Sequence, residues 1–199
     1  MKKFLVLPIV LLSFCVIADD RIILGSFEGD LTVEQYNTLG HKTLATSILF
    51  GVGASLFNFK DDGLYFGTSF KYLTGDRETC FIFCESFNAQ GSMLSGEIGR
   101  VMGQWIPFVG LSFHSSEIDS LSERVTDESW GLNIGFWFDY DKFKIRGALT
   151  NLNDGDYRAF SFGRLFQRDN NVVLGVDLKF LIDSEVHQVN CSLQIGRFF

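Results

Sequence analysis

Proline is almost missing from this chain of 199 residues: there are two, Pro8 and Pro107. Cysteine is scarce at four, and basic residues are outnumbered, 17 Lys and Arg against 24 Asp and Glu. The formal charge of −7 argues against a nucleic-acid binder, whose affinity comes mainly from Lys and Arg on phosphates. A hydrophobic content of 46% with so little proline excludes a disordered chain. Beyond residue 18 no segment approaches the roughly 18 consecutive apolar residues of a spanning helix. What abounds is phenylalanine, 22, and glycine, 20. That pair fits β-structure that is apolar on one face and closely packed or polar on the other.

Lys2 and Lys3 precede an apolar run over residues 4–17, interrupted only by Ser13 and Cys15. Val16-Ile17-Ala18 then supplies the −3/−1 pattern of a cleavage site ahead of Asp19-Asp20-Arg21. This is the layout of a secretory signal peptide over residues 1–18, and it is too short to span as a helix. Leu12-Ser13-Phe14-Cys15 has the outline of a lipid-attachment box, but Phe14 stands where such boxes carry a small residue. Cleavage after Ala18 removes two lysines and no acid, so residues 19–199 carry −9.

Residues 19–199 read with period two. Over residues 47–56, Ile48, Phe50, Val52, Ala54 and Leu56 share one face, against Ser47, Leu49, Gly51, Gly53 and Ser55. The alternation recurs in residues 64–72, 105–113, 130–139, 172–180 and 188–196. Side chains of a strand alternate faces, so each stretch is a half-apolar strand. Weaker strands at 21–27, 94–101, 143–149 and 158–166 bring the candidates to ten, with eight or nine left open. Tight, turn-rich links at 60–63, 102–104, 139–142 and 168–171 alternate with looser links at 29–42, 75–90, 115–129, 151–157 and 183–187. All tight turns then fall at one end and all loops at the other. The expected fold is all-β, an antiparallel up-and-down β-barrel of eight to ten strands in one domain.

Alternation alone does not say which face points outward, since a lipocalin-like soluble barrel and a transmembrane barrel alternate equally. Three features favour the transmembrane form. The polar face is built from Gly, Ser and Asn with isolated charges such as Lys71, Glu97, Arg146, Asp177 and Lys179, which can pair in a narrow lumen. Aromatics gather near the tight turns, at Phe57, Phe59, Trp105, Phe136, Phe138, Tyr140 and Phe143, as an interfacial girdle would require. The last strand runs directly into Phe199.

Signal peptide, alternating strands and the ending Leu193-Gln194-Ile195-Gly196-Arg197-Phe198-Phe199 together resemble the small outer-membrane β-barrels of Gram-negative bacteria, of the OmpA-like and OmpX-like types. Arg197 departs from the hydrophobic residue often found two places before the end of those barrels. The resemblance implies an outer-membrane location, contact with outer-membrane lipids and lipopolysaccharide, and recognition of the C-terminal strand by the barrel-assembly machinery.

Few residues point to chemistry. Cys80 and Cys84 form a candidate disulfide in an outer loop, worth about 2 kcal/mol by loop closure in an oxidising compartment. Cys191 lies on an apolar face and reads as a small lipid-facing hydrophobe. His41, His114 and His187 map to the loop-side ends of strands without ligand spacing, so neither a metal nor a cofactor is expected. His114-Ser115-Ser116 with Glu128 resembles the His-x-Ser…Glu arrangement of outer-membrane lipid A deacylases, which implies base, nucleophile and orienting partner. Glu117 follows where those enzymes carry asparagine, and the motif lies far from the C-terminus. The link at 115–129 is acidic, with Glu117, Asp119, Glu123, Asp127 and Glu128 against Arg124. Such a face can hold divalent cations that bridge to lipopolysaccharide phosphates, or can simply be solvated. Lys71, Glu97, Lys144, Arg146, Asp177 and Lys179 form an expected mixed-sign network in a largely filled lumen.

The expected role is therefore non-enzymatic: envelope structure, or contact with an extracellular partner through the loops. Three alternatives stand beside it. One is a lipid A-modifying hydrolase using His114, Ser116 and Glu128. The second is a narrow, porin-like channel. The third is a soluble lipocalin-like barrel, which requires Ile48, Phe50, Leu174 and Val176 to face inward together.

Overall fold

Strict alternation of tight and loose links gives each strand its sequence neighbours as partners, and leaves the last strand nothing to pair with except the first. The computed structural model describes residues 20–38, 41–60, 63–80, 83–119, 124–155, 157–182 and 186–199, with residues 36–38 and 41–42 as backbone only. The signal peptide expected over residues 1–18 lies outside the described residues. Ten antiparallel strands follow in order: β1 (Asp20–Thr38), β2 (His41–Phe59), β3 (Leu64–Cys80), β4 (Cys84–Arg100), β5 (Trp105–Asp119), β6 (Arg124–Tyr140), β7 (Phe143–Thr150), β8 (Ala159–Gln167), β9 (Val172–Leu181) and β10 (Val186–Phe198). They form a closed barrel in which every strand pairs with its neighbours and β1 with β10. The seam runs from Ile22 opposite Phe198 to Glu34 opposite Val186, and Phe199 extends it by two backbone hydrogen bonds with Arg21.

The tight turns fall where they were read. Among the described residues each contains one residue of positive φ: Gly63, Gly103, Asp141 and Asn171. Glycine and the short polar residues Asn and Asp adopt that conformation most readily. Pro107 stands one position past the last β4–β5 pair, Gly99 with Phe108, where a missing ladder donor matters least.

Three of the five expected loops are instead strand. Residues 29–42, 75–90 and 115–129 continue the ladders until Thr38 meets His41, Cys80 meets Cys84 and Asp119 meets Arg124. These segments are mostly polar, with apolar residues such as Leu31 and Val33 too few to set up an alternation of their own; backbone pairing carries them on. For the same reason β1 is longer than the 21–27 read from sequence, and β4 starts ten residues before its expected 94–101. The barrel is lopsided as a result. Strands β1–β6 have 15 to 19 residues and β7–β10 have 8 to 13. At about 3.3 Å per residue the long strands reach about 50–60 Å. Tilted as barrel strands are, they rise well past an apolar band of about 25 Å, forming a half-cylinder on one side of the mouth.

Sidedness follows the apolar faces. Ile48 and Phe50 are 49% and 55% exposed on the outer wall, and Leu174 lies outside with them. The inward arrangement that a soluble lipocalin-like barrel needs is absent. No helix among the described residues is long and apolar enough to cross a membrane; the crossing elements of such a fold are strands.

Candidate functional site: the lumen and its mouth

The lumen is stopped at the tight-turn end by side chains. Ile22, Leu24, Phe57, Phe59, Tyr65, Ile106, Phe108, Trp137, Leu165 and Val173 form one buried cluster, with Phe198 packed against it. Phe57 and Phe59, expected in the external girdle, are 7% and 6% exposed and belong to this plug. Their position was legible: the parity that turns Leu56 outward turns both of them inward. Phe57 meets the Trp137 ring edge-on at 4.9 Å. Trp105, Phe136, Phe138 and Tyr140 remain outside as an aromatic group near the same end, with Trp105 tilted on Phe138 at 4.8 Å and Phe138 stacked on Tyr140.

Above the plug the lumen turns polar through one chain of contacts. Trp137 Nε1–H donates to the Tyr65 hydroxyl at 2.9 Å, and that hydroxyl donates to Glu97 Oε2 at 2.7 Å. Glu97 pairs with Arg146, whose guanidinium lies over the Phe108 ring and bonds Ser161. Ser161 in turn contacts Asp177. A glycine makes the room: a Cβ at Gly67 would lie 2.5 Å from the Tyr65 hydroxyl and 3.1 Å from Glu97 Oε2.

The second charged pair lies across β2, with partners reaching over the seam from β10. Lys71 donates to Glu28 Oε2 at 2.8 Å and to Asn190 Oδ1 at 3.3 Å, while Ser192 donates to Glu28 Oε1 at 2.9 Å. Glu28 is 0% exposed, so its charge depends on these partners. Of the mixed-sign network read from sequence, Lys71, Glu97, Arg146 and Asp177 are joined as described and Lys144 is held by Asp139 over the Phe59 ring, whereas Lys179 stands apart from these pairs. Glu28 was missed. It sits on a face that begins with Ile22 and Leu24, beside the outward Ile23, so no polar alternation announces it.

Over this network the lumen widens into a cavity of about 250 Å³ that opens at the mouth, continuous through Lys71, His114 and Lys179 with a smaller one of about 80 Å³ below. At the upper rim Arg77 forks onto Glu34, with NH2 to Oε2 at 2.6 Å. On the outside of β3, β5 and β6 the wall changes character toward the mouth. Tyr72 on β3, Phe113 on β5 and Trp130 on β6 are the last large apolar residues facing out, and Phe113 is the cross-strand partner of Trp130. Above them stand Asp76, Glu78, Asp119 and Glu128. Arg124 donates to Asp119 at 2.7 Å and lies 3.5 Å from Glu117; the bond to Asp119, then both carboxylate charges, hold its pKa above the ordinary value.

The sequence matches no protein-family model and no curated protein. Solved structures match the fold. The attachment invasion locus protein Ail of Yersinia pestis is 12% identical at a TM-score of 0.50, over 92% of this chain and 100% of that one. The translocator domain of the autotransporter NalP from Neisseria meningitidis is 11% identical at a TM-score of 0.50, over 94% and 91%. The fold is that of a small outer-membrane β-barrel.

Within this barrel the residues singled out by sequence do not assemble into a catalytic group. His114 and Ser116 lie on the lumenal face of β5, whereas Glu128 faces outward opposite Ser115, between Asp127 and Ser129, which line the mouth. The triad is split by the wall of the barrel. His187 is exposed on the outer face of β10, away from His114, and the side chain of His41 lies outside the described residues. Cys80 and Cys84 are direct cross-strand partners at the tip of the β3–β4 hairpin, joined by a disulfide with Cα atoms 4.1 Å apart. Glu78 approaches both sulfurs, but bonded cysteines are not thiolate ligands. Cys191 is free and exposed on the outer wall.

Proposed function

We propose that this protein resides in the outer membrane of a Gram-negative bacterium, delivered by a signal peptide over residues 1–18, and acts without catalysis as a surface-contact protein. The tight turns face the periplasm and the long hairpins face the exterior. The plug opposes a conducting path, and the split of His114 and Ser116 from Glu128 opposes lipid A hydrolysis. Lipids and lipopolysaccharide meet the apolar outer wall, and the terminal strand ending in Phe199 is the segment offered to the barrel-assembly machinery.

The observation that carries the surface role is the projecting half-cylinder, whose sheet has an open edge. The β6–β7 ladder stops at Ile134 opposite Leu149. Beyond it, Leu132 and Trp130 bond the 151–158 connection through Leu152 and Asn153. Residues 124–129 have no ladder partner on that side among the described residues. By alternation, the backbone groups of Glu128 and Thr126 point into this gap, where an extended segment of a partner can add as a strand. Asp127 and Glu128 at this edge favour a partner segment carrying basic residues. The test is binding of basic extended peptides to the folded barrel in lipid. Thr126→Pro is expected to remove the edge donor and reduce that binding at least tenfold with the barrel intact; unchanged binding would move the contact elsewhere.

A further inference from the structure

Among the described residues, the lumenal cations are paired with one exception. Lys71, Arg77, Lys144 and Arg146 each reach a carboxylate within salt-bridge distance. Lys179 makes neither a hydrogen bond nor an ion pair among the described residues, although it lines both cavities where they join. Its carboxylate neighbours are already engaged: Asp30 accepts from Thr32 and Gln188, and Asp177 contacts Ser161. An ammonium group carries three donors, and one left without acceptors in a confined space favours a ligand that supplies them.

We infer that the blind well above the plug is a binding site for one acidic monosaccharide, a polyhydroxylated monocarboxylate of the uronate type, with Lys179 holding its carboxylate. Three features of the well select this class. The hydroxyls of Ser116 and Ser129 face the well without partners among the described residues, and Gln188 and Asn190, each bonded at one end of its amide to Asp30 or Lys71, keep the other end for a sugar ring, while Asn151 is held at both ends by Ser112 and Tyr157. The volume of about 250 Å³ lies below the range of about 300–1,000 Å³ for drug-sized ligands, which suits one ring rather than a chain. Asp30 and Asp177 lie within electrostatic reach of Lys179, and so do the cations Lys71 and Arg146, so the added charge of one carboxylate is balanced there. The site is independent of the contact assigned to β6, since it lies inside the barrel and needs no hairpin edge.

The experiment is calorimetric titration of the folded full-length barrel in detergent with glucuronate, glucose and inorganic phosphate. Glucuronate is expected to bind at least tenfold more tightly than either of the others. Lys179→Met should lose that binding tenfold or more, Lys179→Arg should retain most of it, and Ser116→Ala should weaken it a few-fold. Each variant is first checked for the heat-dependent gel mobility of a folded barrel. Absent binding, equal binding of phosphate, or binding unchanged in a folded Lys179→Met barrel would overturn the assignment.

Discussion

Glu28 and Lys71 lie 43 positions apart and owe their meeting to the β1–β2–β3 registers, which put both on the lumenal face. Removing one member of a buried pair leaves the other charged without a partner, which costs about 3–5 kcal/mol. Lys71→Met is therefore expected to destabilise the barrel by about that amount in urea unfolding from lipid. The double variant Glu28→Gln with Lys71→Met should recover a large part of the loss, because no charge is then stranded. Trp137 tests the plug in the same assay. Trp137→Ala removes a large side chain that packs against Phe57 and Phe59 and bonds Tyr65, for an expected loss of about 3–5 kcal/mol. Of these residues Lys71 was legible as lumenal from its place opposite Phe70 and Tyr72. Glu28 and the inward Phe57 and Phe59 were not picked out, because charged and aromatic types alone do not reveal parity.

At the scale of the element, hydrophobic alternation marks a strand only where its two faces meet different surroundings. It was clear along residues 47–56 and 172–180, where one face is outside and the other lumenal. It weakened toward the mouth, above Tyr72, Phe113 and Trp130 on β3, β5 and β6, where both faces are largely polar, and three strand segments were read there as loops. The β3–β4 hairpin offers a direct test of this reading, since it is paired out to its disulfide. Replacing Cys80 and Cys84 by serine opens a small loop worth about 2 kcal/mol of closure entropy. The expected result is faster proteolytic cleavage near the tip with unchanged unfolding of the barrel below it, read by limited proteolysis against heat-dependent mobility.

For the whole molecule, the plug and the lopsided height decide what the barrel can do. The cluster around Trp137 and Tyr65 fills the tight-turn end, so planar-bilayer recordings are expected to give no steady conductance. Trimming it with Phe57→Ala and Phe59→Ala in one chain should open a small ion path, and silence in that variant would show that the lumen closes elsewhere too. Cell fractionation should place the protein with the outer membrane, and unboiled protein should migrate differently from boiled protein. Recovery as a soluble protein would contradict the apolar exterior.

The amino-acid sequence by itself determined the barrel class, the tight turns and which face of each half-apolar strand meets apolar surroundings, because these depend on local periodicity and on residues that tolerate positive φ. It also determined that Lys71, Glu97, Arg146, Asp177 and Lys179 share the lumen. Only the tertiary structure decided the count of ten strands, the plug, the pairing of Glu28 with Lys71 and the separation of Glu128 from His114 and Ser116. Those depend on the register between strands distant in sequence and on closure of β1 against β10, which no local pattern records.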